Sequence, residues 1–321
     1  MLKRTVALLI VAALAVGLFC GCKSEDNENG KLKIVTAIFP AYDFARQVFG
    51  DTAEVTLLLK PGTESHSYDP SAKDIVKINN CDLFIYNGGE SDQWVENILS
   101  GLDEINSLRM MDSVEVLTEE NENIAESDSG EDEYDEHIWT SPKNAAKIVE
   151  SIKNAAVEIV PENAEFYKQN ANSYIKKINA LDKRFEELLA GETRYFVFGD
   201  RFPLLYFFKE YGLNYYAAFP GCGDETEPSA RTIAFLTEKL NDSNTIPVVF
   251  HIELSNTKLA ETLTRENHLL NEAEFHSCHN ITADDFEAGE SYVSLMERNY
   301  DILEYAVNME TYTDGVINHS N

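Results

Sequence analysis

From residue 32 onward the chain alternates between short apolar runs and longer stretches in which apolar side chains return every three or four positions. The runs at 32–38, 54–59 and 82–86 predict strands, with helical spacing over 42–49 and 71–79 between them, the βαβ order of a parallel sheet. Further helices are predicted at 94–99 and 142–159. The second opens on Ser141 and Pro142, a cap residue followed by a proline whose missing N–H is harmless in a first turn. Residues 164–190 contain neither Gly nor Pro, and Tyr174, Ile178, Leu181, Phe185 and Leu188 recur at spacings of 4, 3, 4 and 3, which predicts one long amphipathic helix. The alternation then restarts, with strands at 195–198, 215–219, 247–251 and 273–276 and helices near 204–211, 229–240 and 258–266. A last helix carries Tyr292, Leu295, Met296, Ile302 and Leu303. The expected fold class is α/β, with two parallel-sheet lobes, 31–162 and 193–321, joined by a long rigid linking helix at 163–192.

The first 30 residues follow another pattern. Lys3 and Arg4 precede an uncharged run from Thr5 to Phe19 and then Cys20-Gly21-Cys22, the order of a secretory signal. The run is shorter than the roughly 20 apolar residues a bilayer core requires. Gly21-Cys22 resembles the lipobox of bacterial lipoproteins, in which the Cys is acylated and becomes the new N-terminus. That resemblance implies a signal peptide at 1–21, a lipid anchor at Cys22, a polar tether over 22–30 and an extracytoplasmic, membrane-anchored protein.

Composition narrows the partners. The 321 residues are 44% apolar, enough for real cores, and carry 26 Lys and Arg against 56 Asp and Glu, a net charge of −30. Nucleic-acid binding rests on clustered cations, so it is excluded as a function class; cations and basic surfaces remain. Residues 119–136 hold ten carboxylates and no Lys or Arg, and this acidic loop is expected to be solvated and mobile, collecting cations just before His137.

The chain has no Walker loop, no G-x-S-x-G and no H-E-x-x-H, and His251-Ile252-Glu253 lacks the P-C-x-x-C that a zinc deaminase would need. What remains is seven histidines. His66 sits in a Gly/Pro-bounded loop between a strand and a helix, His137 follows the acidic run, and His276, Cys278 and His279 crowd a strand end. Loops at the carboxyl ends of parallel strands converge on a ligand crevice. Neutral imidazole with carboxylate or thiolate suits Zn²⁺. Asp135 or Glu136 beside His137, and Glu64 or Asp69 beside His66, are placed to accept the second ring N–H that a metal-bound histidine donates.

From about Lys31 to the last helix the sequence resembles the solute-binding lipoproteins of zinc and manganese ABC importers. The likeness is carried by Phe39-Pro40 with Tyr42-Asp43-Phe44-Ala45, by the P-G-x-E-x-H-x-Y-x-P-S run from Pro61 to Ser71, and by H-I-W-x-S-P-x-N-A from His137 to Ala145. Tyr211-Gly212-Leu213, Glu227-Pro228-Ser229 and the terminal Tyr292, Leu295, Met296, Asn299 pattern continue it. The resemblance implies two α/β lobes around a linking helix, a metal site in the cleft between the lobes, an ABC permease as partner and no catalysed reaction. It places His66 and His137 as the two N-lobe ligands and aligns the late ligand with His276. The third histidine of zinc-type members falls where this chain reads Gly199-Asp200-Arg201-Phe202. The expected metal ligands are therefore His66, His137 and His276, with the fourth position open among Asp200, Glu225, His279, a Cys and water. Zn²⁺ is the expected cargo, with Mn²⁺ or Fe²⁺ as the alternative and a zinc-dependent hydrolase, its base Glu225 or Glu253, as the rival from another class. Of the cysteines left after the anchor, Cys222 and Cys278 are expected to pair in a disulfide and Cys81 to be a buried small residue.

Overall fold

The computed structural model describes residues 30–63, 68–102, 105–120, 122–126, 134–221, 227–266 and 270–309. Among the described residues the strands form two four-stranded sheets whose central strands come from apolar runs and are largely buried on both faces, while the edge strands are partly exposed. The first comprises β1 (Leu32–Thr36), β2 (Ala53–Leu57), β3 (Leu83–Tyr86) and β4 (Ser107–Arg109) in the order β2-β1-β3-β4. The second comprises β5 (Tyr195–Phe202), β6 (Asn214–Pro220), β7 (Thr245–His251) and β8 (Asn271–Glu274) in the matching order β6-β5-β7-β8. β3 pairs in parallel with β1 and β4, β5 with β6 and β7, and β7 with β8. The chain from Lys33 onward, which holds both sheets, is one compact unit. In each sheet the strand order reverses beside the first strand, so each lobe opens a crevice at the carboxyl ends of its central strands.

In the first lobe the helices are α1 (Phe39–Phe49), α2 (Ala72–Asn79), α3 (Gln93–Leu99) and α4 (Pro142–Ile159). α1 begins three residues before the expected start because Pro40 fits a first helical turn with its fixed φ. Ser141 Oγ accepts the Asn144 N–H and so caps α4 as its sequence predicts. α5 (Ala164–Leu189) is the long linking helix. Its buried stripe is Tyr167, Ala171, Tyr174, Ile178, Leu181, Phe185 and Leu189, the last in place of Leu188. α6 (Leu205–Tyr211), α7 (Ala230–Leu240), α8 (Lys258–Glu266), α9 (Ala283–Ala288) and α10 (Tyr292–Val307) complete the second lobe.

One buried carboxylate ties three helices from different parts of the chain. Asp43 of α1, wholly buried, accepts from Tyr174 Oη of α5 at 2.5 Å, the Tyr292 N–H of α10 at 3.0 Å and Arg46 Nε at 2.7 Å. Arg46 also reaches the Gly289 carbonyl at 3.1 Å and the Glu290 carbonyl.

Three expectations change. β8 ends at Glu274, so Phe275 and His276 lie in the following loop rather than in the strand. β5 runs four residues past the expected end, through a register shift against β6 between Phe198 and Arg201. Part of the acidic segment is also docked. The Ala217 N–H donates to the Asn123 carbonyl, the Ala125 N–H to the Ala217 carbonyl and the Glu126 N–H to the Ala218 carbonyl, so 123–126 lies along the β6 edge. Glu126 accepts from the Ser229 N–H at 2.9 Å and from Thr232 Oγ1, which holds its carboxyl below the usual range. The apolar Ile124 explains the exception, since its burial needs a surface. The signal peptide and Cys22 lie outside the described residues.

Candidate metal centre

His137 is built into the wall between the lobes by the residues around it. The Asn87 amide after β3 donates to the Glu136 carbonyl at 2.8 Å, and Tyr206 of α6 donates to the Asp135 carbonyl at 2.8 Å, so the segment is held from both sides. Asp135 Oδ1 accepts the His137 N–H at 2.7 Å and stands 3.1 Å from its Nδ1. That contact places the ring proton on Nδ1 and makes Nε2 the ring's lone-pair nitrogen, the orientation a metal-binding imidazole requires. Burial pulls this fully buried imidazole down, but Asp135, with Glu136 and Glu119 behind it, more than offsets that, and its pKa stands above the ordinary histidine value.

His279 comes to the same place from the second lobe. The His137 and His279 ring centroids are 5.4 Å apart, and Trp139 packs against both, at 5.5 and 5.0 Å. Two imidazoles bound tetrahedrally to one zinc through bonds of about 2.0–2.1 Å have centroids roughly 5 Å apart, so the observed spacing fits a shared ion. Both rings line one cavity of about 20 Å³ together with Thr63, Arg201, Gly221 and Asn280, space for a single water-sized occupant. Gly221 is required there, because a Cβ on it would stand 2.9 Å from the Phe202 carbonyl oxygen and 3.3 Å from His137 Cε1. A larger cavity of about 330 Å³ lies along β5 and α8, but no histidine lines it.

His276 is arranged differently. Its Nδ1 accepts the Cys278 N–H at 2.9 Å, which puts the ring proton on Nε2, and the ring does not line the cavity. Binding a metal through Nε2 would move that proton to Nδ1 and break the bond to Cys278. The expected Cys222–Cys278 pairing is not made: Cys278 is a free, buried thiol, and Cys222 lies outside the described residues. Burial pushes the Cys278 thiol well above its usual range, so it is not a thiolate at neutral pH. Cys81 is half-buried rather than fully buried as expected, and its thiol is pushed up to about 12, chiefly by burial.

Of the residues left open for the fourth position, Asp200 is occupied. Its Oδ1 accepts the Arg201 N–H at 2.7 Å and its Oδ2 the Ile252 N–H at 2.9 Å. Gly199 also explains the missing third histidine, since a Cβ there would stand 3.1 Å from both the backbone N and Cα of Ala260 in α8. His66 and Glu225 lie outside the described residues. Among the described residues no three His, Cys, Asp or Glu side chains converge on one point. The loop leading toward His66 is nevertheless anchored at the cavity. The Gly62 N–H donates to the Ile281 carbonyl at 2.7 Å, and Asn280 Nδ2 donates to the carbonyls of Lys60 at 3.1 Å and Thr63 at 2.5 Å.

Glu253, the base that a hydrolase would need, also lines this cavity. That carboxylate accepts the Ser277 N–H and Oγ–H, each at 2.6 Å, and the His279 N–H at 3.1 Å, so most of its acceptor capacity goes to holding a turn. Sequence reasoning missed that role because it joins segments more than twenty residues apart.

The family described as zinc-uptake complex component A, periplasmic, matches residues 34–306. The zinc-binding lipoprotein AdcA of Streptococcus pneumoniae is 34% identical over 308 residues, which are 94% of this chain and 61% of AdcA, so the chain spans about three-fifths of that relative. The high-affinity zinc uptake system protein ZnuA of Bacillus subtilis is 30% identical over 315 residues, covering 95% of this chain and 98% of ZnuA. The crystal structure of the Zn(II)-bound ZnuA-like domain of Streptococcus pneumoniae AdcA superposes with a TM-score of 0.73 at 34% identity, over 87% of this chain and all of that domain. The chain belongs to the zinc-uptake complex component A family.

Proposed function

We propose that this chain is the substrate-binding component of an ABC importer, capturing Zn²⁺ outside the cytoplasm and delivering it to a membrane permease, with no reaction catalysed. The observation that carries the reading is the pair His137 and His279, brought from different lobes to a ring separation suited to one zinc ion. His66, His137 and His279 are the proposed ligands, and the fourth position falls to Glu225, Cys222 or water. His276 is reassigned from ligand to support, because its Nδ1 is committed to the Cys278 N–H. An imidazole-rich set favours zinc over the harder Mn²⁺, which prefers carboxylate and water. Names of relatives as zinc-binding lipoproteins support the lipid anchor at Cys22 and the extracytoplasmic location; among the described residues no helix is long and apolar enough to cross a membrane.

Isothermal titration of the metal-stripped protein tests the reading. Zn²⁺ binds at one site and more tightly than Mn²⁺, His137→Ala and His279→Ala each weaken binding at least tenfold, and His276→Ala stays within a few-fold of wild type. Equal affinity for Mn²⁺, or His276→Ala weaker than His279→Ala, contradicts it.

A further inference from the structure

We propose that Glu253 is a positioning residue for the metal site, holding the turn that aims His279 into the cleft. This rests on the reading of His279 as a ligand and adds the device that fixes it.

Glu253 stands just past the end of β7, at the crevice end of the second sheet, and is almost wholly buried. The turn it holds begins where β8 ends. Oε2 takes the Ser277 N–H, and Oε1 takes both the Ser277 hydroxyl and the His279 N–H. The N–H between them, that of Cys278, goes to His276 Nδ1. Three successive backbone donors are thus fixed by two side chains. Cys278 pays for this with φ at +61°, a left-handed conformation that non-glycine residues adopt only when their surroundings impose it. The reversal at Cys278 is what places the next side chain, His279, on the cavity wall and leaves His276 behind it. Trp139 Nε1 donates to the Ser277 carbonyl at 2.9 Å, and Asn280 grips the 60–63 loop, so the turn is also joined to the first lobe.

A carboxylate is needed for this, not merely a polar side chain. Three donors face Glu253, and a glutamine offers one acceptor oxygen and a donor NH₂, which in either orientation would face the N–H of Ser277 or of His279. Groups that orient a ligand from behind it commonly alter metal affinity 10–100-fold when removed.

The test is a double-mutant cycle on full-length protein, with Zn²⁺ affinity measured by competition against a chromophoric chelator and Co²⁺ absorption as a readout of the donor set. Glu253→Gln is expected to weaken Zn²⁺ binding about 10–100-fold and to shift its Co²⁺ spectrum toward that of His279→Ala. The double variant is expected to bind no more weakly than His279→Ala alone. Ser277→Ala, which keeps both backbone bonds to Glu253, is expected to show a smaller loss that also vanishes in the His279→Ala background, and it serves if Glu253→Gln does not fold. Glu253→Gln binding within threefold of wild type, an unchanged Co²⁺ spectrum, or losses that add in full overturn the positioning role while His279 stands as a ligand. Undiminished binding by His279→Ala overturns the site reading itself and this proposal with it.

Discussion

Replacing Asp43 by Ala removes the acceptor that α1, α5 and α10 share. Tyr174 Oη and the Tyr292 N–H lose their partner in a region closed to water, since both residues are almost fully buried. Burial, reinforced by Asp43, raises the Tyr174 phenol well above its usual range, so it stays a donor at any working pH. A buried donor left without an acceptor costs about 1–3 kcal/mol. Arg46 loses less, because it keeps two backbone carbonyls and its side chain is partly solvated. The two stranded donors and a small void together destabilise the fold by roughly 4 kcal/mol, a large share of the 5–15 kcal/mol typical of a folded protein. Equilibrium urea unfolding of the metal-free protein, followed by tyrosine and tryptophan fluorescence and by circular dichroism, measures this directly. Asp43→Asn, whose carbonyl oxygen can keep both bonds now made to Oδ2 and gives up those to Oδ1, is expected to lose less than half as much. A loss below about 1 kcal/mol for Asp43→Ala, with coincident transitions in both probes, would refute the view that this carboxylate fastens the three helices.

Other outcomes follow from individual contacts. Burial raises the Asp92 carboxyl to about 6, with Glu136 adding to it against the N–H bonds of Gly88 and Asn87. The native state therefore binds a proton that the unfolded chain has released between about pH 4 and pH 6, and stability falls as pH rises through that window. Asp92→Asn, whose single carbonyl oxygen can take over both N–H bonds now made to Oδ2, is expected to be more stable than wild type by up to roughly 3 kcal/mol above pH 6, with the gap closing near pH 4; thermal melts showing a gap independent of pH contradict this. Gly199→His restores the residue type of zinc-type relatives but forces α8 away, so it should destabilise by about 2 kcal/mol without tightening Zn²⁺ binding, as calorimetry and melts will show. Trp139→Phe removes the Nε1–H bond to Ser277 and should lower Zn²⁺ affinity a few-fold, with no change in the number of sites.

The two sheets and the linking helix were legible because their signals are local. Runs such as Tyr195–Phe198 and Pro247–His251 have nowhere to go but a buried sheet, and the stripe along α5 repeats for about six turns. β4 and α9 are only three and six residues long and carry no periodicity to detect. His137 and its partner Asp135 could be read because they are two residues apart. That His279 rather than His276 lines the cavity could not, since it depends on where β8 stops and on the left-handed φ at Cys278, in a turn whose N–H groups are met by Glu253 and Asn299 from elsewhere in the chain. Charge patterning likewise overstated the freedom of the acidic segment, because one isoleucine within it decides that 123–126 docks on β6.

The most direct test is X-ray absorption at the zinc edge of the zinc-loaded protein, compared between wild type and His279→Ala. Imidazoles from both lobes holding one ion predict nitrogen scatterers at about 2.0–2.1 Å, with the ring multiple-scattering signal of His279 lost in the variant. An unchanged imidazole signal in His279→Ala, or a wild-type shell of oxygen alone, contradicts the account.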